Sequence, residues 1–188
     1  MLATLQAWDQ QLFLWLNGLH HPVLDPVMAL ISEKWVWIPL YAFLLYLIYQ
    51  RLGWKGTLWT LLAVAVLITM SDQFASGFLK PTVERLRPCR TPELKDLVHL
   101  VDGHCGGKYG FASSHSANFF ALATFMSAFL AKRSWTITLL TCAIITAYSR
   151  IYLGVHYPGD VIVGAMIGFG AGRLIWYLYQ RFIGPRFS

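Results

Sequence analysis

What this chain of 188 residues has little of is charge. Only 13% of it is Asp, Glu, Lys or Arg, about half the share expected of a soluble domain. Nine of these residues are acidic and fifteen basic, so such charge as exists leans positive. A water-facing coat for a globular protein cannot be built from so few charges. Cysteine is scarce as well: Cys89, Cys105 and Cys142 are the three present, too few for a disulfide framework to be the main source of stability. The chain has no low-complexity linker, no charged leader ahead of an unbroken apolar run, and no cluster with the spacing of a metal site. A modular soluble protein does not fit that pattern.

Hydrophobicity is what the sequence has in excess. Apolar residues make up 56% of the chain and the mean hydropathy is +0.51. Near-continuous apolar stretches fall at 35–49, 57–79, 116–131, 135–151 and 161–182. Each approaches or reaches the roughly 20 residues needed to cross a bilayer. The expected fold is therefore all-α: an integral membrane bundle of about five transmembrane helices, with residues 1–188 forming one domain.

Ahead of the spans, Leu2, Leu5, Trp8, Leu12, Phe13, Trp15, Leu16 and Leu19 recur at helical spacing, with Gln6, Asp9, Gln10 and Asn17 on other faces. That pattern predicts a retained amphipathic helix lying on the membrane and not a span. His20, His21, Pro22 and Pro26 follow as a polar turn.

Five spans place Arg51, Lys55, Lys132, Arg133, Arg181 and Arg186 on one membrane face. The long loop from about Lys80 to Ser114 and the short loop from Tyr152 to Gly159 fall on the other. Connectors without a chemical role are the cleanest signal for orientation, and Arg51/Lys55 and Lys132/Arg133 read as cytoplasmic. The other face is then outside: the expected location is a bacterial inner membrane, with the periplasm or cell exterior beside the two loops. An outside location would let Cys89 and Cys105 pair; pairing and two free thiols stand as equal readings.

The charged and polar residues of those two loops form three clusters. The first is Lys80-x6-Arg87-Pro88. Proline holds Arg87 out of helix and aims a planar guanidinium fork from a turn. The second, Ala112-Ser113-Ser114-His115, opens an apolar helix after a glycine-rich turn. One serine there is explained as an N-cap, but a histidine among Phe, Leu and Ala is not, and the amides of a helix N-terminus bind phosphate oxygens. The third, Ser149-Arg150-x5-His156-x3-Asp160, sets a histidine beside a carboxylate that can fix its tautomer and free the other ring nitrogen to attack. Three cations around such a pair suit an anion that is both held and attacked.

In these motifs the chain resembles the type 2 phosphatidic acid phosphatase superfamily, whose core is shared with vanadium haloperoxidases and bacterial acid phosphatases. The likeness covers roughly Asp72 to Gly168. It departs from the family in the second motif, where Ala112 and Ser114 replace proline and glycine. The resemblance implies Lys80, Arg87 and Arg150 as phosphate ligands, with Ser113 and the Ser114 amide as further donors. It implies His115 as general acid, and His156 as a nucleophile that becomes phosphohistidine with Asp160 behind it. No metal or other cofactor and no nucleic acid is implied; the partners are a lipid phosphate and the surrounding membrane lipids. The residues leave the oligomeric state open, with a monomer ahead of a dimer.

The expected activity is removal of a terminal phosphate from a lipid, polyprenyl diphosphate first. Lipid A, phosphatidylglycerol phosphate and phosphatidic acid are the alternatives within the class. A lipid phosphotransferase or a non-catalytic phosphate-binding membrane protein is the alternative outside it. Two remaining features read as structural: Asp72 as a tie between helices, and Gly164, Gly168 and Gly172 as a seam for close packing within the bundle.

Overall fold

The computed structural model describes residues 2–184; Arg186 of the orientation count lies outside them. Among the described residues the chain is helical, with one isolated antiparallel bridge between Leu86 and Tyr109. The helices are α1 (Leu2–Asn17), α2 (Asp25–Ser32), α3 (Ile38–Asp72), α4 (Lys80–Val83), α5 (Ser114–Leu130), α6 (Arg133–Tyr152) and α7 (Pro158–Phe182). The five expected apolar segments fall in helical chain except Ala131, the left-handed residue that ends α5. Among the described residues two stretches, 34–83 and 158–182, are long and apolar enough to cross a membrane by length and composition. At 1.5 Å per residue, α5 and α6 measure about 25 and 30 Å.

The first two expected spans are one helix broken at Gly53, whose φ of 64° and ψ of −173° leave the helical region. Only glycine takes that conformation without a side-chain penalty. Leu44 and Ile48 on one leg join Ala63 and Leu67 on the other in a single core. The second leg runs on into a π-helical turn, Gln73–Leu79, and then α4, which ends at Glu84 in the left-handed region with φ 51°.

Helix α5 is the centre of the bundle, packed on α3, α6 and α7. Its tightest neighbour is α7, and the sequence shows why. A Cβ on Gly164, Gly168 or Gly172 would collide with the carbonyl oxygen of Ser113, Ala117 or Ala121 in turn. Three glycines at a spacing of four let the two backbones meet. Large apolar side chains such as Leu58, Ile137, Ile144, Met166 and Phe169 are exposed on the outside of the bundle.

Helix α1 inverts the ordinary amphipathic arrangement. Leu5, Trp8, Leu12 and Trp15 are exposed. Asp9, Phe13 and Asn17, spaced four apart, face the protein. Phe13 is fully buried and meets Tyr157 edge-on at 5.4 Å. Asn17 donates to the Tyr152 carbonyl at 2.8 Å and accepts from the His99 amide at 2.8 Å. The histidine turn is anchored as well: His20 stacks on His99 at 3.7 Å, and His99 and Tyr152 both bond Asp25. Cys89 and Cys105 are joined as a disulfide, with Cα atoms 6.0 Å apart.

Candidate active site

Every residue picked from the three motifs lies at one end of the bundle, around the N-terminus of α5. Lys80 opens α4, and its Nζ reaches Ser76 Oγ at 3.3 Å and Ser114 Oγ at 3.5 Å. Arg87 is buried and extended ahead of Pro88. Its guanidinium donates to the carbonyls of Tyr109 at 3.3 Å and Val155 at 3.4 Å. Gly106, at φ +73°, lies flat against that guanidinium, where a Cβ would stand 3.3 Å from a terminal nitrogen. Arg150, in the last turn of α6, donates to Ser32 Oγ, a contact made from α2.

Among the described residues none of these three cations forms an ion pair with a carboxylate. Each lies within electrostatic reach of another: Arg87 and Arg150 both act on Lys80. Cations held close together by neutral groups keep their charge for an anion that arrives later.

Ser113 serves as the N-cap of α5, accepting from the Ser116 amide at 3.4 Å, and its own amide donates to the Asp160 carbonyl at 3.0 Å. The bond from Ser113 to Asp160 ties the second motif to the third. Ser114 and His115 then occupy the first turn of α5, where amides have no partner within the helix. His115 lies close enough to Arg150, His156, Lys34 and Lys80 to feel their charges.

His156 sits in the short loop between α6 and α7, 1% exposed. Its amide donates to the Arg150 carbonyl at 3.2 Å, which fixes it to the end of α6. Its Nδ1 is 3.4 Å from Asp160 Oδ2, an atom that accepts from the Tyr157 amide at 3.0 Å. Burial first, then the Arg87, Arg150 and Lys80 charges, hold the ring well below the usual histidine range. The imidazole is neutral at neutral pH, with a lone pair to offer. Burial likewise pushes the Arg87 guanidinium down, opposed by Asp160.

Two further residues complete the arrangement, and the sequence reading passed over both: Arg85 as a partner of Asp160, and Asp9 as a partner of Arg85. Arg85 donates to Asp160 Oδ1 at 2.8 Å and to Asp9 Oδ2 at 2.7 Å, with its guanidinium 4.0 Å over the Tyr157 ring. Asp9 Oδ1 in turn accepts from the Gly159 amide at 2.8 Å, at the start of α7. The chain Asp9–Arg85–Asp160–His156 thus runs from the N-terminal helix to the imidazole. The one available signal was Arg85 two residues before Arg87: in extended chain such residues share a side. Asp9 gave none, since an acid on the polar face of an amphipathic helix ordinarily faces water.

No group of three or more His, Cys, Asp or Glu side chains with metal-holding geometry occurs among the described residues. The family model described as PAP2 superfamily matches residues 60–183. The chain belongs to the PAP2 superfamily. It is a lipid phosphatase of that superfamily. A lipid A 4'-phosphatase of Bacteroides thetaiotaomicron is 42% identical to it over 183 residues, covering 96% of this chain and 81% of the relative. A lipid A 4'-phosphatase of Porphyromonas gingivalis is 40% identical over 176 residues, with 92% and 74% covered. The crystal structure of Aquifex aeolicus LpxE superposes with a TM-score of 0.71 at 27% identity, over 89% of this chain and 93% of that one. The PAP2 match starts after α1, α2 and the first leg of α3, so Asp9 and Ser32 reach the site from outside it.

Proposed function

We propose that this PAP2 phosphatase removes a phosphate from a lipid of the lipid A type, through a phosphohistidine on His156. The observation that carries the chemistry is a buried, neutral imidazole, backed by Asp160 and set among three cations without carboxylate partners. Lys80, Arg87, Arg150 and the Ser114 amide hold the phosphate oxygens, with Ser113 capping the helix that presents that amide. His156 Nε2 attacks phosphorus while the bond to the lipid oxygen breaks, and His115 supplies the proton that oxygen needs. Water then attacks the phosphohistidine, the P–N bond breaks, and His115 takes the proton from that water. Asp160 holds the tautomer and balances the charge that grows on the ring. The developing negative charge falls where the fixed cations already point, so little reorganisation is needed.

Two relatives named for lipid A, at 42% and 40% identity, move lipid A ahead of polyprenyl diphosphate, which the sequence alone put first. A membrane setting with the site facing outward is supported by two observations. Arg51 bonds the Phe129 carbonyl at the opposite end of α5 from the site, which puts the basic connectors on the far face. The Cys89–Cys105 disulfide suits an oxidising compartment beside the site.

The test is phosphate release by detergent-solubilised protein in EDTA, wild type against His156→Ala, across lipid A, undecaprenyl diphosphate, phosphatidylglycerol phosphate and phosphatidic acid. Fastest release from lipid A, abolished by the substitution, is the expected result. Faster release from undecaprenyl diphosphate overturns the substrate, and release that survives the substitution overturns the nucleophile.

A further inference from the structure

Between α2 and α3 the chain passes the site as a short 3-10 turn, Lys34–Trp37. Both ends of that passage are pinned. Ser32, the last residue of α2, accepts from Arg150. Trp37 donates from Nε1 to the Ile31 carbonyl at 2.9 Å, and its ring meets Phe119 of α5 edge-on at 5.4 Å. Lys34, set between these two anchors, is exposed.

Its side chain belongs to the site end of a cavity of about 340 Å³ between the two legs of α3 and the face of α5. Ile48, Val64 and Leu122 line the apolar depth of that cavity, whereas Lys34, Ser114 and His115 form its rim. Hydrocarbon suits the depth; a charged rim requires a polar group or water. The Lys34 charge reaches His115, yet among the described residues Lys34 forms no ion pair. The acids of this region are engaged elsewhere. Glu33 acts on Arg150, and Asp72 accepts from Asn118 at 3.1 Å.

Placement beside His115 decides what this cation can meet. Lys80, Arg87 and Arg150 surround the scissile phosphate, and His115 protonates the oxygen that departs with the lipid. An ammonium on the His115 side therefore faces the departing portion of the substrate. It also lies outside the PAP2 match, which begins at residue 60, and so apart from the motifs that carry the shared chemistry.

Resting on the phosphatase reading above, we propose that Lys34 is a specificity residue, binding a second anionic group, carboxylate or phosphate, on the part of the lipid that leaves. Lipids differ in this respect. A glycolipid with an acidic sugar beside its phosphate brings a carboxylate, and a lipid diphosphate keeps a phosphate on its leaving portion. A diacylglycerol phosphate brings neither. Lys34 is thus a discriminator of the leaving group, separate from the cations that hold the phosphate under attack.

The test reads KM for two pairs of synthetic lipids with equal chains. One pair is an acylated sugar phosphate with a carboxylate next to the phosphate, against its carboxamide. The other is a prenyl diphosphate against the prenyl monophosphate. Wild-type protein is expected to show a KM about fivefold lower for the member with the second anion, a margin that narrows in high salt. Lys34→Met is expected to erase the margin by raising KM for that member alone, and Lys34→Arg to keep most of it. A margin in one pair only supports the proposal and identifies the anion as carboxylate or phosphate. Equal KM within both pairs in the wild type overturns it whether or not the variants fold, and so does a margin that survives in Lys34→Met. No release from any of the four or from p-nitrophenyl phosphate overturns the phosphatase reading itself.

Discussion

Arg85 and Arg87 are two residues apart in the same loop, yet they stand in opposite electrostatic situations. Arg85 is spent: Asp9 and Asp160 hold its guanidinium at 2.7 and 2.8 Å, and the Tyr157 ring lies beneath it. Arg87 is held by the carbonyls of Tyr109 and Val155 and pairs with no carboxylate among the described residues. The same side chain is a clamp in one place and an unspent charge in the other. One side of His156 is therefore neutralised and rigid, and the other is cationic. Burial first, and then this imbalance, hold the imidazole below the usual histidine range.

The largest expected effect comes from removing the atom on which both sides converge. His156→Ala is expected to lower phosphate release by about four orders of magnitude, as loss of an attacking or base residue does elsewhere. Stopped-turnover samples of the wild type should carry acid-labile phosphate that the variant lacks; label on any other residue would break the comparison at its centre.

Next comes the cationic side. Arg87→Lys keeps the charge but loses the fork and the two carbonyl contacts, and a fall in kcat of about 10²–10³ is expected. A loss no greater than twofold would mean that Arg87, like Arg85, is structural. Removing the charge with Arg87→Met should also be visible on His156. Burial remains, so its titration should rise toward the ordinary histidine range without reaching it. The sign follows from the cause: a cation that held the proton off has gone. Histidine NMR titration reads the shift directly, and no shift would detach Arg87 from the ring.

The clamp side should respond more gently. Asp9→Asn keeps the size and an acceptor for Gly159 but drops the charge that shares Arg85, so kcat is expected to fall about tenfold with KM little changed. Asp9→Glu should recover part of it, and an unchanged kcat in Asp9→Asn would reduce α1 to a membrane-facing ornament. Smallest in its effect on chemistry is the disulfide. Cys89→Ser with Cys105→Ser is expected to cost about 3 kcal/mol of stability for a loop of this length, measured as a lower thermal midpoint, with turnover at low temperature retained.

The apolar segments were legible from length and composition: they fall in helical chain except Ala131, the left-handed residue that ends α5. The break at Gly53 was foreshadowed by Arg51 and Lys55 interrupting an apolar run. The π-helical turn before Lys80 was not, since nothing in Gln73–Leu79 marks a widened turn. Asp72 as a tie between helices and the glycine seam on α7 were both readable, because a polar atom in hydrocarbon needs a partner and a bare backbone needs a neighbour. Asp9 was unreadable for the opposite reason. Its partner lies 76 residues away in a loop, and whether an acid on a helix face meets water or an arginine is a matter of docking.

By itself the sequence determined the chemistry on offer: three cations, two histidines and an aspartate at the ends of apolar helices, in an order that admits a phosphate and an attack on it. Residue type and spacing along one chain suffice for that, because pKa range, hydrogen-bonding capacity and bilayer thickness belong to the residues and the solvent. Only the tertiary structure decided which charges are spent and which are kept. Arg85 and Arg87 are alike in type and nearly alike in position. What separates them is which backbone and side-chain atoms two helices and two loops bring within 3.5 Å of each guanidinium, and electrostatic neutralisation is a property of that distance and not of the sequence.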